Sequence, residues 1–181
     1  MKASAGEIKA RWAYSELFSS RLGQRLAAVL PARLQDCRKH RPPFEDLTEA
    51  DHKALVHALK TLRPASFIDL IDAPGSTHYE LSQWTAAQLL GCLTLPQFGP
   101  VRYFQFLAGR HEDRSDKPTI PADPRLEAAT IPFDENFSVE FPVIALKSRE
   151  HYILIDGYLR SILWLRNPLK TLPVWVPAEA T

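Results

Sequence analysis

Three residues in the last third of the sequence have the types and spacing of an anion-binding turn: Asp156, Gly157 and Arg160. They follow an apolar run at 152–155 and precede a stretch whose apolar residues recur at helical spacing. A glycine at a helix start lets a ligand approach the main chain, and the unpaired N–H groups of the first helical turn attract an anion. An arginine in that turn can bind the same anion through two N–H groups. The pattern is typical of a phosphate site.

The same residues also have an interpretation that involves no ligand. Asp156 can act as the N-cap of the helix by accepting hydrogen bonds from its first turn, and Arg160, four residues later, can form an ion pair with it. The turn by itself leaves both interpretations open. No residue is assigned a catalytic or metal-binding role. The candidate phosphate-binding set is Asp156, Gly157, Tyr158, Arg160 and Ser161.

The segments around this turn alternate in a way that predicts a small sheet with one helix. Strands are predicted at 128–133, 141–146 and 152–155, a helix at 158–166, and a last strand at 172–176. The turn therefore joins the third strand to the helix.

The preceding residues are predicted to be mainly helical. Apolar residues at helical spacing follow a capping-box pattern at Ser4-x-x-Glu7, and a second such pattern stands at Thr77-x-x-Glu80. Helices are predicted from Ser4 to an interruption or end at Pro31, from Thr48 to Leu62, and from Thr77 through Trp84 to Gly91.

The order of these elements predicts an α+β fold with its helices first and its sheet last. The polar, proline-rich stretch at 111–125 is predicted to be a loop or boundary. It separates a helical region of unknown role, 1–110, from the strand-containing region, 126–181.

The segment PVIALKSREHYILIDGYLRSILWLRNPLKTLPVWV, Pro142 to Val176, resembles the core of the ParB/sulfiredoxin-like superfamily. That family has a proline-led strand, a short hairpin, a strand that ends in glycine, a G-x-x-R box that opens a helix, and a final strand. Here the box is Gly157-Tyr158-Leu159-Arg160 and the final strand contains LPVWV. The strand at 128–133 fits the family's first strand, and the resemblance covers about a third of the chain.

The resemblance implies a small mixed sheet with a helix after the G-x-x-R turn, and binding of a nucleotide or other phosphate at the box. A nucleoside triphosphate with Mg²⁺ is the ligand it suggests. Members of the superfamily include CTP-dependent DNA-partition clamps, ATP-using sulfinic-acid reductases, a free-serine kinase and nuclease-like proteins. Tyr158 and Leu159 stand where sulfiredoxins have a reactive cysteine and a histidine, which argues against sulfinic-acid reduction.

The partition clamps differ from this sequence in two respects. Their box reads GERR, of which only Gly157 and Arg160 are present here, so CTP hydrolysis is not expected. They also have a helix-turn-helix domain after the core, whereas this sequence ends at Thr181, and a partition clamp is not expected.

Two functions remain as hypotheses. The first is a ParB-like nucleotide- or phosphate-binding protein that acts on nucleotides or nucleic acid; as an enzyme it would be a nucleotide or phosphodiester hydrolase or a phosphotransferase. The second is a non-catalytic interaction or DNA-associated regulatory module with the same fold. In that case the N-terminal helices would contact a protein or DNA partner.

Several other residue groups have less specific patterns. His52 and His57 are five apart and lie on different helix faces, so a shared metal is not expected. Asp134 and Glu135 are strand-end acids that could serve in acid–base chemistry or bind Mg²⁺, or could be turn residues. Ser148 and Ser161 have no partnered base in the sequence. His111-Glu112-Asp113 could bind a cation or could be a solvated loop. The cluster of Tyr103, Phe104, Phe106 and Leu107 could be a stacking surface for bases or part of the core.

Five basic residues stand close together before Pro42-Pro43. They can be a phosphate-contacting patch or a solvated helix end whose cations suit the macrodipole, and the balanced net charge favours the second interpretation. These residues are Arg33, Arg38, Lys39, His40 and Arg41.

The overall composition excludes several classes of protein. The 181 residues are 45% hydrophobic and 24% charged, with 22 Lys and Arg against 21 Asp and Glu, which is globular and gives no general attraction to nucleic acid. The sequence has no apolar run of membrane-spanning length and no signal-peptide pattern, so we expect a cytoplasmic protein. Cys37 and Cys92 are expected to be reduced thiols.

Overall fold

The computed structural model describes residues 1–72, 78–92, 135–148, 151–166 and 171–178. These residues form eight α-helices, two short 3-10 helices and five strands, which confirms the predicted α+β class. Of the helices in these ranges, none is both long enough and apolar enough to cross a bilayer. The chain divides into two compact units, the first comprising Met1–Tyr79 with Ala178–Thr181 and the second Glu80–Pro177.

The first unit is largely helical. Its elements are β1 (Lys2–Ser4), α1 (Ala5–Leu17), α2 (Gly23–Val29), α3 (Ala32–His40), a 3-10 helix (Phe44–Asp46), α4 (Glu49–Leu62), α5 (Ala65–Ile68) and a second 3-10 helix (Asp69–Asp72).

The helix predicted from Ser4 to Pro31 is two helices, so the prediction of one element was wrong. Its start is confirmed, since the Ser4 hydroxyl accepts a hydrogen bond from the Glu7 N–H at 3.2 Å. The chain leaves the helical path after Leu17 and resumes it at Gly23. A Cβ atom at Gly23 would lie 2.3 Å from the Leu17 carbonyl oxygen, so this close approach of two backbones requires glycine.

The predicted helix from Thr48 to Leu62 is confirmed as α4, which Thr48 caps. The Asp51 N–H donates to the Thr48 hydroxyl, and the Thr48 N–H donates to the Asp51 carboxylate at 2.9 Å. That carboxylate also accepts from the Thr48 hydroxyl at 2.6 Å and lies 2.8 Å from the Arg33 guanidinium. Asp51 therefore joins the start of α4 to α3.

Asp51 gives the first unit a predictable acid sensitivity. Its burial raises the carboxyl pKa, but the Thr48 hydrogen bonds and the Arg33 charge outweigh burial and hold the pKa below the ordinary value of 3.8. Because the folded-state pKa is the lower one, the stabilisation is complete above the unfolded-state pKa and is lost as pH falls through the folded-state pKa.

We expect Asp51→Ala to lower the free energy of unfolding by about 1 kcal/mol at pH 7, since it removes half of the capping box. The difference from wild type should hold from pH 7 to pH 5 and shrink below pH 4. Urea unfolding at each pH measures it, with Asp46→Ala, an exposed aspartate, as the control. A difference as large at pH 3 as at pH 7 would contradict this account.

The core of the first unit lies mainly between α1 and α4. Trp12 and Tyr14 of α1 are fully buried, as are Leu55 and Leu59 of α4. The Trp12 ring meets the Phe67 ring edge-on at 5.4 Å between centroids. The apolar faces of the two long helices thus supply most of this unit's hydrophobic contact.

The second unit contains a mixed sheet with helices. Its elements are β2 (His78–Trp84, in this unit from Glu80), α6 (Ala86–Leu90), α7 (Glu135–Glu140), β3 (Val143–Ser148), β4 (His151–Asp156), α8 (Tyr158–Arg166) and β5 (Leu172–Pro177).

The prediction of one helix from Thr77 to Gly91 is mostly wrong, because His78–Trp84 is strand β2 and only Ala86–Leu90 is helical. Tyr79 and Trp84 are buried in the strand, which forms hydrogen bonds with β5, and sheet pairing outweighs the local helical spacing. The capping box belongs to Thr85 and Gln88 instead.

The strands predicted at 141–146, 152–155 and 172–176 and the helix predicted at 158–166 are confirmed within two residues. The strand predicted at 128–133 and the loop or boundary predicted at 111–125 lie outside the described residues. β3 and β4 form an antiparallel hairpin with an irregularity between Ile144 and Ala145, and β5 pairs in parallel with β3. The strand order within the unit is β2-β5-β3-β4. In the chain, β4 and α8 lie between the parallel strands β3 and β5 and belong to the connection that joins them.

The face of α8 that packs on the sheet is apolar. Ile162, Trp164 and Leu165 are buried with residues of β3 and β5 in one cluster. This packing fixes the start of α8 against the end of β4, where the candidate site lies.

Candidate functional site

The turn from β4 into α8 places the predicted site residues at a helix start. Asp156 is the last residue of β4 and Tyr158 the first of α8, so Gly157 precedes the helix. The Gly157 carbonyl accepts the first helical hydrogen bond, from the Ser161 N–H at 2.9 Å. The N-cap position therefore belongs to Gly157, one residue after the position predicted for Asp156.

Gly157 is required by both its backbone conformation and its surroundings. Its φ is +83°, in the left-handed region that side chains disfavour. A Cβ atom there would lie 2.2 Å from Cγ1 of Val143 and 3.1 Å from Nη2 of Arg160. The glycine thus lets the turn pass directly over the first strand of the hairpin.

Arg160 reaches back across this turn and bridges two segments. Its Nη2 donates to the Asp156 carboxylate at 2.8 Å, and its Nη1 donates to the Phe141 carbonyl. The two side chains are 15% and 13% exposed, so the pair is mostly shielded from water. The ion pair that the ligand-free interpretation requires is therefore present.

The arginine head retains hydrogen-bonding capacity after these contacts. A guanidinium has five N–H donors, and within the described residues the hydrogen bonds of Arg160 use two of them. Its Cζ also lies 5.4 Å from the centre of the Phe137 ring. Asp156, Phe141 and Phe137 together fix the orientation of the Arg160 guanidinium at the start of α8.

Sequence reasoning did not identify Phe137 and Phe141 as partners of this arginine. Phe137 lies in α7, in a short helix that was not predicted, and Phe141 was assigned to the start of a strand. Their rings lie 4.7 Å apart between centroids. The four-residue spacing of two phenylalanines, which suits one face of a helix, was the available signal.

The other two members of the predicted set are Tyr158 and Ser161. Tyr158 and Leu159 are partly buried against the core of the second unit. Ser161 is fully buried, and its hydroxyl oxygen has no hydrogen-bond partner in the described part of the chain. The turn therefore brings Asp156, Gly157 and Arg160 together, whereas Ser161 lies within the protein.

The other candidate groups do not converge on this turn. His52 stacks on Phe44 at 4.4 Å in the first unit, and Glu135 is the first residue of α7. Across the described ranges, no three His, Cys, Asp or Glu side chains group closely enough to hold a metal ion. Two of these groups and Asp134 lie outside the described residues: His111-Glu112-Asp113 and the aromatic cluster at 103–107.

Both cysteines are buried, and neither is part of a disulfide. The Cys92 thiol donates to the Tyr152 carbonyl at 3.1 Å, and burial raises its pKa to about 12. Burial likewise raises the pKa of Cys37. A thiol with a raised pKa is a poor nucleophile at neutral pH, so neither cysteine has the properties of a catalytic residue.

Comparison of the chain with protein-family models, curated proteins and solved structures finds no match.

Proposed function

We propose that the second unit binds a phosphate-bearing ligand, a nucleotide or a nucleic acid, at the turn from Asp156 to Arg160. One observation carries the proposal. Arg160 is held in a fixed direction at the start of α8, after a glycine turn, and within the described residues its hydrogen bonds use two of its five donors. The resemblance to the ParB/sulfiredoxin-like superfamily implies the same ligand class.

The physical basis is the convergence of two kinds of donor. The N–H groups of Leu159 and Arg160 lie in the first turn of α8 and have no acceptor four residues back within that helix. They supply the partial positive charge of the helix start, and the guanidinium adds a full charge. An anion placed there would be contacted from the main chain and from the side chain.

The Asp156 carboxylate limits which anions can bind. It already neutralises Arg160 at 2.8 Å, so a bare phosphate would be repelled by it at short range. A cation carried by the ligand would offset this repulsion. We therefore expect a nucleoside triphosphate with Mg²⁺ to bind more tightly than inorganic phosphate or a nucleotide without metal.

In this proposal binding does not require catalysis. Arg160 could stabilise developing negative charge, and Asp156 could orient water or a metal ion. A hydrolase or phosphotransferase also needs an acid–base group placed at the reacting atoms, and neither Asp156, paired with Arg160, nor the buried Ser161 is free to serve as one.

A second candidate is an interaction module in which this turn only maintains the fold. The contacts of Gly157 with Val143, and of Arg160 with Asp156 and Phe141, account for these residues without any ligand. The protein would then act through its helices on a protein or DNA partner.

A thermal-unfolding screen separates the two candidates. Four ribonucleoside triphosphates, with and without Mg²⁺, and inorganic phosphate are each added to the wild-type protein. A ligand at about 100 times its Kd should stabilise the protein by about 2.7 kcal/mol. Release of phosphate from the nucleotide that binds then tests for turnover. The absence of any shift would favour the interaction module.

A further inference from the structure

We infer that the first unit carries a binding surface for the phosphate backbone of duplex DNA. The segment from Arg21 to Arg41 holds six of the chain's 22 Lys and Arg residues but only one, Asp36, of its 21 Asp and Glu residues. The balanced charge of the whole chain conceals this local excess. Five of these six residues, together with His40, form what we call the basic surface. Its members are Arg21, Arg25, Arg38, Lys39, His40 and Arg41.

These residues lie at the start of α2 and at the end of α3, two helices that a two-residue link joins and that contact each other. The Cζ of Arg41, just after α3, lies 5.4 Å from the centre of the Phe18 ring, and the Tyr14 hydroxyl donates to the Pro42 carbonyl at 2.6 Å. The end of α3 therefore lies beside Phe18, which follows α1 and is three residues before Arg21.

The basic surface is open to solvent. All six of its side chains are exposed. In the described part of the chain, Arg21, Arg25 and Arg38 form no ion pair. Lys39 is 3.5 Å from Asp36, but both side chains are mostly exposed, so this pair is weak and easily exchanged.

The helix macrodipole accounts for the cations at the end of α3 but not for Arg25 at the start of α2. Cations in the last turn of α3 suit the negative end of its macrodipole. Arg25, however, lies in the first turn of α2, at the positive end, and that turn contains no acidic residue. Positive charge at this position is unfavourable for the isolated protein, and a polyanion would relieve it.

The surroundings favour a duplex over other polyanions. The exposed large apolar residues in the described part of the first unit are Met1, Val29 and Leu70, and none belongs to the basic surface. Insertion into an anionic bilayer needs an apolar face beside the charges. Binding of single strands relies on exposed aromatic rings for stacking. A surface with charge alone is suited to a duplex backbone.

The test compares two charge-matched triple variants by fluorescence anisotropy with a labelled 20-base-pair DNA duplex, between 50 and 200 mM salt. One variant is Arg25→Ala/Arg38→Ala/Lys39→Ala. The other removes three exposed lysines elsewhere, as Lys2→Ala/Lys53→Ala/Lys147→Ala.

The first variant should bind about tenfold or more weakly at low salt, and its log–log salt slope should fall by about 2 to 3, since each lost phosphate contact contributes about 0.9. The second should bind as wild type does.

Three results would overturn the inference. They are an equal loss of affinity in both triple variants, no duplex binding by wild type at 50 mM salt, and tighter binding to phosphatidylserine vesicles or single strands than to the duplex.

Discussion

Replacement of Gly157 by alanine should destabilise the second unit by about 2–5 kcal/mol. A left-handed conformation costs a non-glycine residue about 1–2 kcal/mol, and here φ is +83°. The added Cβ would also lie 2.2 Å from Cγ1 of Val143, so that either the turn or strand β3 must move. Overpacking of this kind costs about 1–3 kcal/mol more.

Gly91→Ala is the matched control in the same unit. Gly91 has a right-handed conformation, with φ −76°, and the nearest atoms to an added Cβ are at 3.5 Å. Alanine there should be neutral or slightly stabilising. Denaturant unfolding of both variants measures the difference. Equal stability of the two would show that the turn is not constrained as described.

Removal of the Glu16 carboxylate should destabilise the first unit by about 3–5 kcal/mol, because a shielded charge is left without its partner. Glu16 of α1 pairs with Arg63, and their side chains are 9% and 19% exposed. The Arg63 guanidinium also lies over the Trp12 ring, at 5.6 Å from Cζ to the ring centre. In Glu16→Ala the arginine would keep its apolar surroundings and lose its counter-charge.

Two further variants identify the cause. Glu49→Ala removes an exposed carboxylate that pairs with Lys53 in the first turn of α4, and it should lower the free energy of unfolding by no more than about 1 kcal/mol. In Glu16→Met/Arg63→Met both charges are replaced by apolar side chains, which should recover much of the lost stability. If the double variant is as unstable as Glu16→Ala, lost packing rather than an unpaired charge is responsible.

The order of elements in the second unit could be predicted because local signals agree there. The helix at 158–166 has the predicted bounds, and the hairpin before it and the strand after it are each predicted within two residues. A strand rich in β-branched residues, a glycine and a helical repeat follow one another, and the sheet reinforces each of them. The prediction failed at His78–Trp84, where pairing with β5 outweighs helical spacing.

Only the contacts between residues close in sequence could be predicted for the candidate site. The ion pair between Asp156 and Arg160 spans four residues and can be inferred from spacing. The bond from Arg160 to the Phe141 carbonyl spans 19 residues, and the approach of Val143 to Gly157 depends on the hairpin register. Such contacts arise from tertiary packing, which spacing along the chain does not encode.

The most direct test of phosphate binding at this turn is calorimetric titration of Mg²⁺-nucleoside triphosphates into the wild-type protein, Arg160→Gln and Arg63→Gln. Arg63→Gln is the matched control, since it makes the same change in a shielded, ion-paired arginine of the first unit. The double variant Asp156→Asn/Arg160→Gln is included because Arg160→Gln alone leaves the Asp156 carboxylate without its ion-pair partner. Circular dichroism verifies that each variant is folded.

We predict that the wild type and Arg63→Gln bind one nucleotide with Kd values within about twofold of each other. Both variants at Arg160 should bind at least tenfold more weakly, a loss of about 1.4 kcal/mol or more. Equal binding by a folded Arg160 variant, or no binding of any triphosphate by the wild type, would contradict the proposed site. The turn would then serve only to join β4 to α8.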